Sequence, residues 1–182
     1  MRDRQSRRPA SQAVTLARVR PRQPAARIEM VSDGLGADGA MDRRHSAYAD
    51  NLSPPLRWTP VEGARAYALV LEDPDAPMER PFVHWLVWNL PADGTSLPEG
   101  LPDDARLASP RGALQGANDA RAIGYFGPRP PKGHGVHHYH FQMFALDGPL
   151  NLPAGADLRQ LTEALRGHVL ADGELVGTFE AP

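Results

Sequence analysis

The sequence predicts a mainly β protein, one antiparallel sheet packed on another, with a single short helix late in the chain. Three observations carry that expectation. Its 182 residues include 19 prolines and 17 glycines, dispersed rather than repeated, so turn signals separate many short segments. The apolar runs between those signals are of strand length and rich in β-branched and aromatic residues. Only one stretch has the spacing of a helical stripe, and strands of this kind bury best when two sheets face each other.

Taken in chain order, Ala66-Tyr67-Ala68-Leu69-Val70-Leu71 is apolar throughout and stops at Asp73-Pro74. That predicts a strand buried on both faces and ended by a turn. Phe82 to Leu90 is β-branched and aromatic, closed by Pro91 and Asp93-Gly94. Strand alternation puts Val83, Trp85 and Val87 on one face and His84, Leu86 and Trp88 on the other. A third strand is expected from Tyr139 to Leu146, ended by Asp147-Gly148-Pro149. Leu158, Leu161 and Leu165 then line one helix face, with Asp157 placed to cap the first turn and Gly167 as a stop signal. Glu174 to Glu180 is short enough for a final strand.

Composition bounds the function. Hydrophobic residues make up 41% and charged residues 23%, a globular balance in a chain long enough to build a sizeable core. Cysteine is absent, which excludes disulfides, thiol nucleophiles and thiolate-held metals. A net charge of −2 gives no overall pull toward nucleic acid, and no apolar run is long enough to span a membrane. The small sum conceals an asymmetry, because residues 1–30 carry eight arginines against Asp3 and Glu29. We expect residues 1–29 to form a basic, flexible tail, since Pro9, Pro21 and Pro24 interrupt any amphipathic helix and no apolar secretory stretch follows. Residues 30–182 are expected to form one domain, and a chain starting near Ile28 should keep its fold.

Two segments are unusual enough to carry chemistry. In Asp73-Pro74-Asp75-Ala76-Pro77 the prolines hold two carboxylates in place at a strand end, with His84 close behind in sequence. Gly124 to His140 begins as a stiff, glycine-punctuated loop, where the backbone can approach a ligand, and runs into a strand bearing imidazoles and a phenol. Alternation sets His137 and Tyr139 on one face and His138 and His140 on the other, so the histidines of this strand cannot converge. A metal held by His137, His84 and Asp73 or Asp75 would match no closed zinc spacing, so no metal is expected. Neither the Gly-x-Ser-x-Gly elbow nor the Gly-x-x-x-x-Gly-Lys-Ser/Thr loop occurs. Residue types alone leave three classes open: a binding site, a His84/Asp73 acid–base pair of a hydrolase or lyase, and a structural or interaction module.

Together, in this order, these segments resemble the phosphatidylethanolamine-binding proteins, also called Raf kinase inhibitor-like proteins, and their bacterial branch in particular. The likeness runs from Asn51-Leu52-Ser53-Pro54-Pro55-Leu56-Arg57-Trp58 through Asp73-Pro74-Asp75-Ala76-Pro77 and His84-Trp85-Leu86-Val87-Trp88-Asn89-Leu90-Pro91. It continues through Gly116-Ala117-Asn118-Asp119, Gly127-Pro128 and Pro130-Pro131-Lys132-Gly133 to His137 and Ala145-Leu146-Asp147. The resemblance implies a two-sheet Greek-key sandwich with a small anion pocket and no catalytic turnover. By matching position, that pocket would be formed by Asp73, Asp75, His84, Pro130, Pro131, His137 and Tyr139.

The implied ligand is a phosphate- or carboxylate-bearing group such as a phospholipid headgroup or a phosphorylated group, with no cofactor. The resemblance further implies a regulated protein partner such as a kinase or protease, a homodimer, and a cytoplasmic location. Two positions depart from the family pattern. His138 stands where arginine is usual, which would make a pairing with Asp75 depend on pH. Arg129 stands before Pro130-Pro131 where a small residue is usual, and would add positive charge at the pocket rim.

Overall fold

A computed structural model describes residues 13–22 and 27–182. The tail expectation for residues 1–12 and 23–26 lies outside the described residues. Among the described residues, eight strands form two sheets. β1 (Met30–Val31), β2 (Leu56–Trp58) and β5 (Ser96–Leu97) make a small sheet in the order β1-β2-β5. The larger sheet has the order β6-β4-β3-β7-β8, from β3 (Ala66–Asp73), β4 (Phe82–Pro91), β6 (Leu114–Gln115), β7 (His137–Leu146) and β8 (Val169–Phe179). Every named pairing is antiparallel. The chain leaves this sheet on one side of β3 and returns as β7 on the other, which is the Greek-key connection. The sandwich expected from the sequence is the one observed.

Two cores follow from strand alternation. Tyr67, Leu69 and Leu71 of β3 join Trp85, Phe141 and Met143 in packing against Leu56, Trp58 and Leu97 of the small sheet. On the opposite face Ala68, Val70, Leu86, Trp88 and Phe144 lie under Leu161 and Leu165 of the helix α2 (Leu158–Leu165). All eight residues of β3 are buried, as its unbroken apolar run requires. In α2, Asp157 accepts from Gln160 N while Gln160 caps Asp157 in return, a capping box around the leucine stripe.

Two departures from the expected pattern matter. β4 does not keep strict alternation: Val83 packs with Leu86 and Trp88, while Trp85 and Val87 pack on the other face. The cause is a β-bulge, since Leu71 pairs with Trp85 but its neighbour Glu72 pairs with Val83, leaving His84 as the extra residue. β8 starts at Val169 rather than Glu174, because β7 offers its whole length as a pairing edge and Val169 lies opposite Leu146. Gly173 hides that continuation in the sequence. A Cβ there would lie 1.9 Å from the carbonyl oxygen of Ile28, so the glycine admits the N-terminal segment.

That N-terminal segment lies against the larger sheet. The single-turn helix α1 (Thr15–Arg18) sits over two buried polar side chains: Thr15 N donates to Glu72 Oε2 at 2.7 Å and Leu16 N to Gln142 Oε1 at 2.6 Å. Val19 is buried in the outer core. Arg18, Arg22 and Arg27 pair with Glu72, Asp147 and Asp172.

Candidate functional site

The site lies where the end of β3, the start of β4 and the start of β7 meet at one end of the sheet. Antiparallel pairing sets Asp73 beside Phe82, and Asp73 continues the alternating series that points toward the small sheet. His137, first residue of β7, reaches it: His137 Nδ1 lies 2.6 Å from Asp73 Oδ2, both side chains buried. A carboxylate oxygen only accepts, so Nδ1 of His137 carries the hydrogen. The other ring nitrogen, Nε2, lies 2.6 Å from Nδ1 of His134.

The bulge in β4 aims His84 at the same place. Its ring meets Tyr139 edge-on at 5.2 Å and stacks on Phe126 at 5.8 Å. His84 Nδ1 lies 2.6 Å from the carbonyl oxygen of Phe126, whose own N–H donates to His84 O at 2.9 Å. A carbonyl only accepts, so Nδ1 is protonated and the neutral ring keeps a lone pair on Nε2. Burial pushes the imidazole down to about 4, against the opposing effects of the Phe126 carbonyl and the Asp73 charge. At neutral pH His84 is therefore an acceptor at Nε2 and carries no charge.

The loop of Gly127 to Pro131 is clamped from behind. Tyr48 donates to Pro130 O at 2.6 Å, Asn51 Oδ1 accepts from Gly127 N at 2.7 Å, and Tyr125 donates to His45 O at 2.8 Å. A Cβ on Gly127 would fall 2.2 Å from the His45 carbonyl oxygen, so only glycine permits this approach.

Asp73, His84, Pro130, Pro131 and His137 line one cavity of about 380 Å³. Its deep end is polar, formed by the buried Asp73, His84 and His137, and Ala76, Pro77, Met78, Phe82, Ala120 and Phe126 give it apolar walls. Exposed Arg129 and half-buried Asp119 also line it. Asp119 is held by Arg80 through two contacts of 2.7 and 2.8 Å and by Val83 N. Burial raises this carboxyl, but Arg80 and the Val83 amide together bring it below the usual carboxylate range.

Two expected residues stand apart from the lining. Asp75 accepts from His138 N at 2.8 Å and meets His138 Nδ1 at 2.7 Å, so the histidine takes the place the resemblance gives to arginine. Tyr139 lies behind His84, and its hydroxyl is buried with no hydrogen-bond partner among the described residues. Burial first, and the nearby Asp73 charge second, push that phenol well above its ordinary value, so it stays a hydroxyl. The sequence reading did not single out His134, Phe126 or the Arg80–Asp119 pair. Asn118-Asp119 and His134 sit inside the quoted segments, but nothing local says which way they face.

A larger cleft of about 450 Å³ lies elsewhere, lined by Arg18, Arg80, Arg159 and Arg166 beside α2. Its guanidinium groups are largely answered within the chain, Arg18 by Glu72, Arg80 by Asp119 and Arg166 by Glu163. The imidazoles lie in the other cavity, and the chemistry goes with them. Among the described residues no group of three or more His, Asp or Glu side chains could hold a metal ion. No helix among them is long and apolar enough to cross a membrane.

Comparison with known proteins gives the family. The family model described as phosphatidylethanolamine-binding protein matches residues 31–180. UPF0098 protein PH1269 of Pyrococcus horikoshii is 42% identical over 154 residues, covering 82% of this chain and 75% of its own length. A Mycobacterium tuberculosis relative named "Putative lipoprotein LppC" is 37% identical over 158 residues, covering 86% of this chain and 75% of its own length. The crystal structure of Escherichia coli YbcL, titled a new member of the mammalian PEBP family, superposes with a TM-score of 0.79 at 30% identity. That match covers 86% of this chain and 100% of the other. With two sheets in Greek-key order and a match across nearly all of the sandwich, the chain belongs to the phosphatidylethanolamine-binding protein family.

Proposed function

We propose that this chain is a non-catalytic binding protein whose cavity takes a phosphate- or carboxylate-bearing ligand with an apolar portion. One observation carries the reading: three buried polar side chains, Asp73, His84 and His137, meet in a cavity whose other walls are mostly apolar, with Arg129 and the Arg80-paired Asp119 beside them. Family membership supports a binding role. The lining supports it too, because none of its described residues is a serine, threonine, lysine or tyrosine, and Asp73, His84 and His137 are engaged with one another or with the backbone.

Proton positions narrow the ligand. Asp73 repels a fully ionised group, and His84 presents a lone pair. A singly protonated phosphomonoester, or a carboxylic acid, donates its hydrogen to His84 Nε2 and accepts from His137 Nε2, a contact that requires a second hydrogen on the His137 ring beside the Asp73 carboxylate. Arg129 at the mouth offsets part of the remaining negative charge. A phospholipid headgroup and a phosphorylated group on a kinase or protease partner share this chemistry, in the cytoplasm or on a lipid-anchored form.

Phenyl phosphate serves as the probe, its ring matching the apolar mouth. Calorimetric titration should give one site, with affinity rising as pH falls from 7.5 toward the phosphate's second pKa of about 6. His84→Ala and His137→Ala should each weaken binding by roughly tenfold or more, the range for losing a hydrogen bond to a charged group. Unchanged affinity in both variants sinks the reading, and catalytic turnover of the probe replaces it with the acid–base alternative.

A further inference from the structure

His134 stands in an odd relation to the cavity. It is exposed, yet its Nδ1 lies 2.6 Å from Nε2 of the buried His137, with the rings 4.9 Å apart and tilted by 59°. A contact between two imidazole nitrogens needs one hydrogen and one lone pair. His137 Nδ1 already spends its hydrogen on Asp73. The contact uses up Nε2, the other nitrogen of the His137 ring, and an oxyanion can take it over where that nitrogen holds the second hydrogen.

The backbone around His134 has a glycine on either side and open space around both. Gly133 and Gly135 flank it at φ of 77° and 85°, the left-handed region that favours glycine, and a Cβ on either would meet nothing within 4 Å. Lys132 and Val136, the residues just outside these glycines, are exposed. One backbone bond closes the turn, His134 N to Pro131 O at 3.1 Å. Pro130 behind it is held by Tyr48, so the clamped wall ends just before this turn.

We propose that His134 is a displaceable cap on the binding cavity: it occupies the His137 nitrogen that a ligand oxygen needs, and swings out on its two glycines when the ligand takes its place. The proposal rests on the binding reading above and names the residue that sets the threshold for entry. A ligand must offer His137 a better partner than an imidazole does, which an oxyanion provides and a neutral carbonyl or alcohol does not. The capped form lowers the apparent affinity by the fraction of molecules that are open.

Removing the cap tests this directly. In His134→Ala, affinity for phenyl phosphate should rise about three- to tenfold, the factor expected from one hydrogen bond no longer competing. Discrimination against benzyl alcohol should fall, and thermal stability should stay unchanged because the ring is at the surface. A second readout follows the ring nitrogens of His134 by nitrogen NMR in the wild type, where saturation with phenyl phosphate should shift Nδ1 toward its solvent-exposed value. Equal or weaker affinity in His134→Ala overturns the cap and leaves the cavity reading standing, as does an unmoved His134 signal in the saturated protein. Absence of binding in both wild type and variant removes the cavity reading, and the cap with it.

Discussion

His84 is held neutral inside the protein by its surroundings. Its folded-state pKa of about 4 lies below the ordinary 6.5, so the unfolded chain takes up a proton in that interval while the folded one does not. Stability is therefore full above about pH 6.5 and is lost as pH falls toward 4, by roughly 3 kcal/mol from this one group. Urea unfolding at pH 7 and pH 4.5 should show that loss, and His84→Gln should remove most of it. Equal pH dependence in the two proteins would assign the acid lability to other groups. His84, Asp73 and His137 were legible as candidates because their residue types are rare in short strands. The capping role of His134 was not, since a ring–ring contact across a loop leaves no periodic trace.

Secondary-structure elements show where pattern reading stops. The buried strand β3 and the helix α2 appear as the sequence expects, because an unbroken apolar run and a leucine stripe each have one stable burial. β4 does not, because a bulge inserts one residue and shifts every side chain beyond it to the opposite face. That slip is what turns His84 toward Tyr139 and Phe126. The N-terminal segment is the other case. A charge count finds its arginines but not Glu72, Asp147 and Asp172, which answer three of them from distant parts of the chain. Starting the chain at Ile28 strips Glu72 of the Thr15 amide and uncovers the face where Val19 packs. Losing one buried bond and one buried valine predicts about 3 to 5 kcal/mol of destabilisation with the sandwich retained. Chemical denaturation of the shortened chain checks this, and unchanged stability would mean that the segment adds nothing.

At the scale of the molecule, two sheets solve a packing problem and leave one end open. The inner core is filled by Leu56, Trp58, Trp85, Phe141 and Met143, and the outer core is closed by α2 and the N-terminal segment. At the open end the alternation that packs Tyr67, Leu69 and Leu71 delivers Asp73 next. The same alternation along β7 delivers His137 just before Tyr139 and Phe141. The polar end of the cavity is thus a continuation of the hydrophobic core by the same strands. The Greek-key return of β7 beside β3 is what makes Asp73 and His137 neighbours across 64 positions of sequence.

The central claim is that this junction receives an acidic oxygen group. A crystal grown with phenyl phosphate at pH 6 tests it most directly. The account predicts the phosphoryl group within about 3 Å of both His84 Nε2 and His137 Nε2, the phenyl ring against Met78 and Phe126, and His134 turned outward. Phosphate held instead by Arg159 and Arg166 in the cleft beside α2, with His134 still on His137, would contradict it.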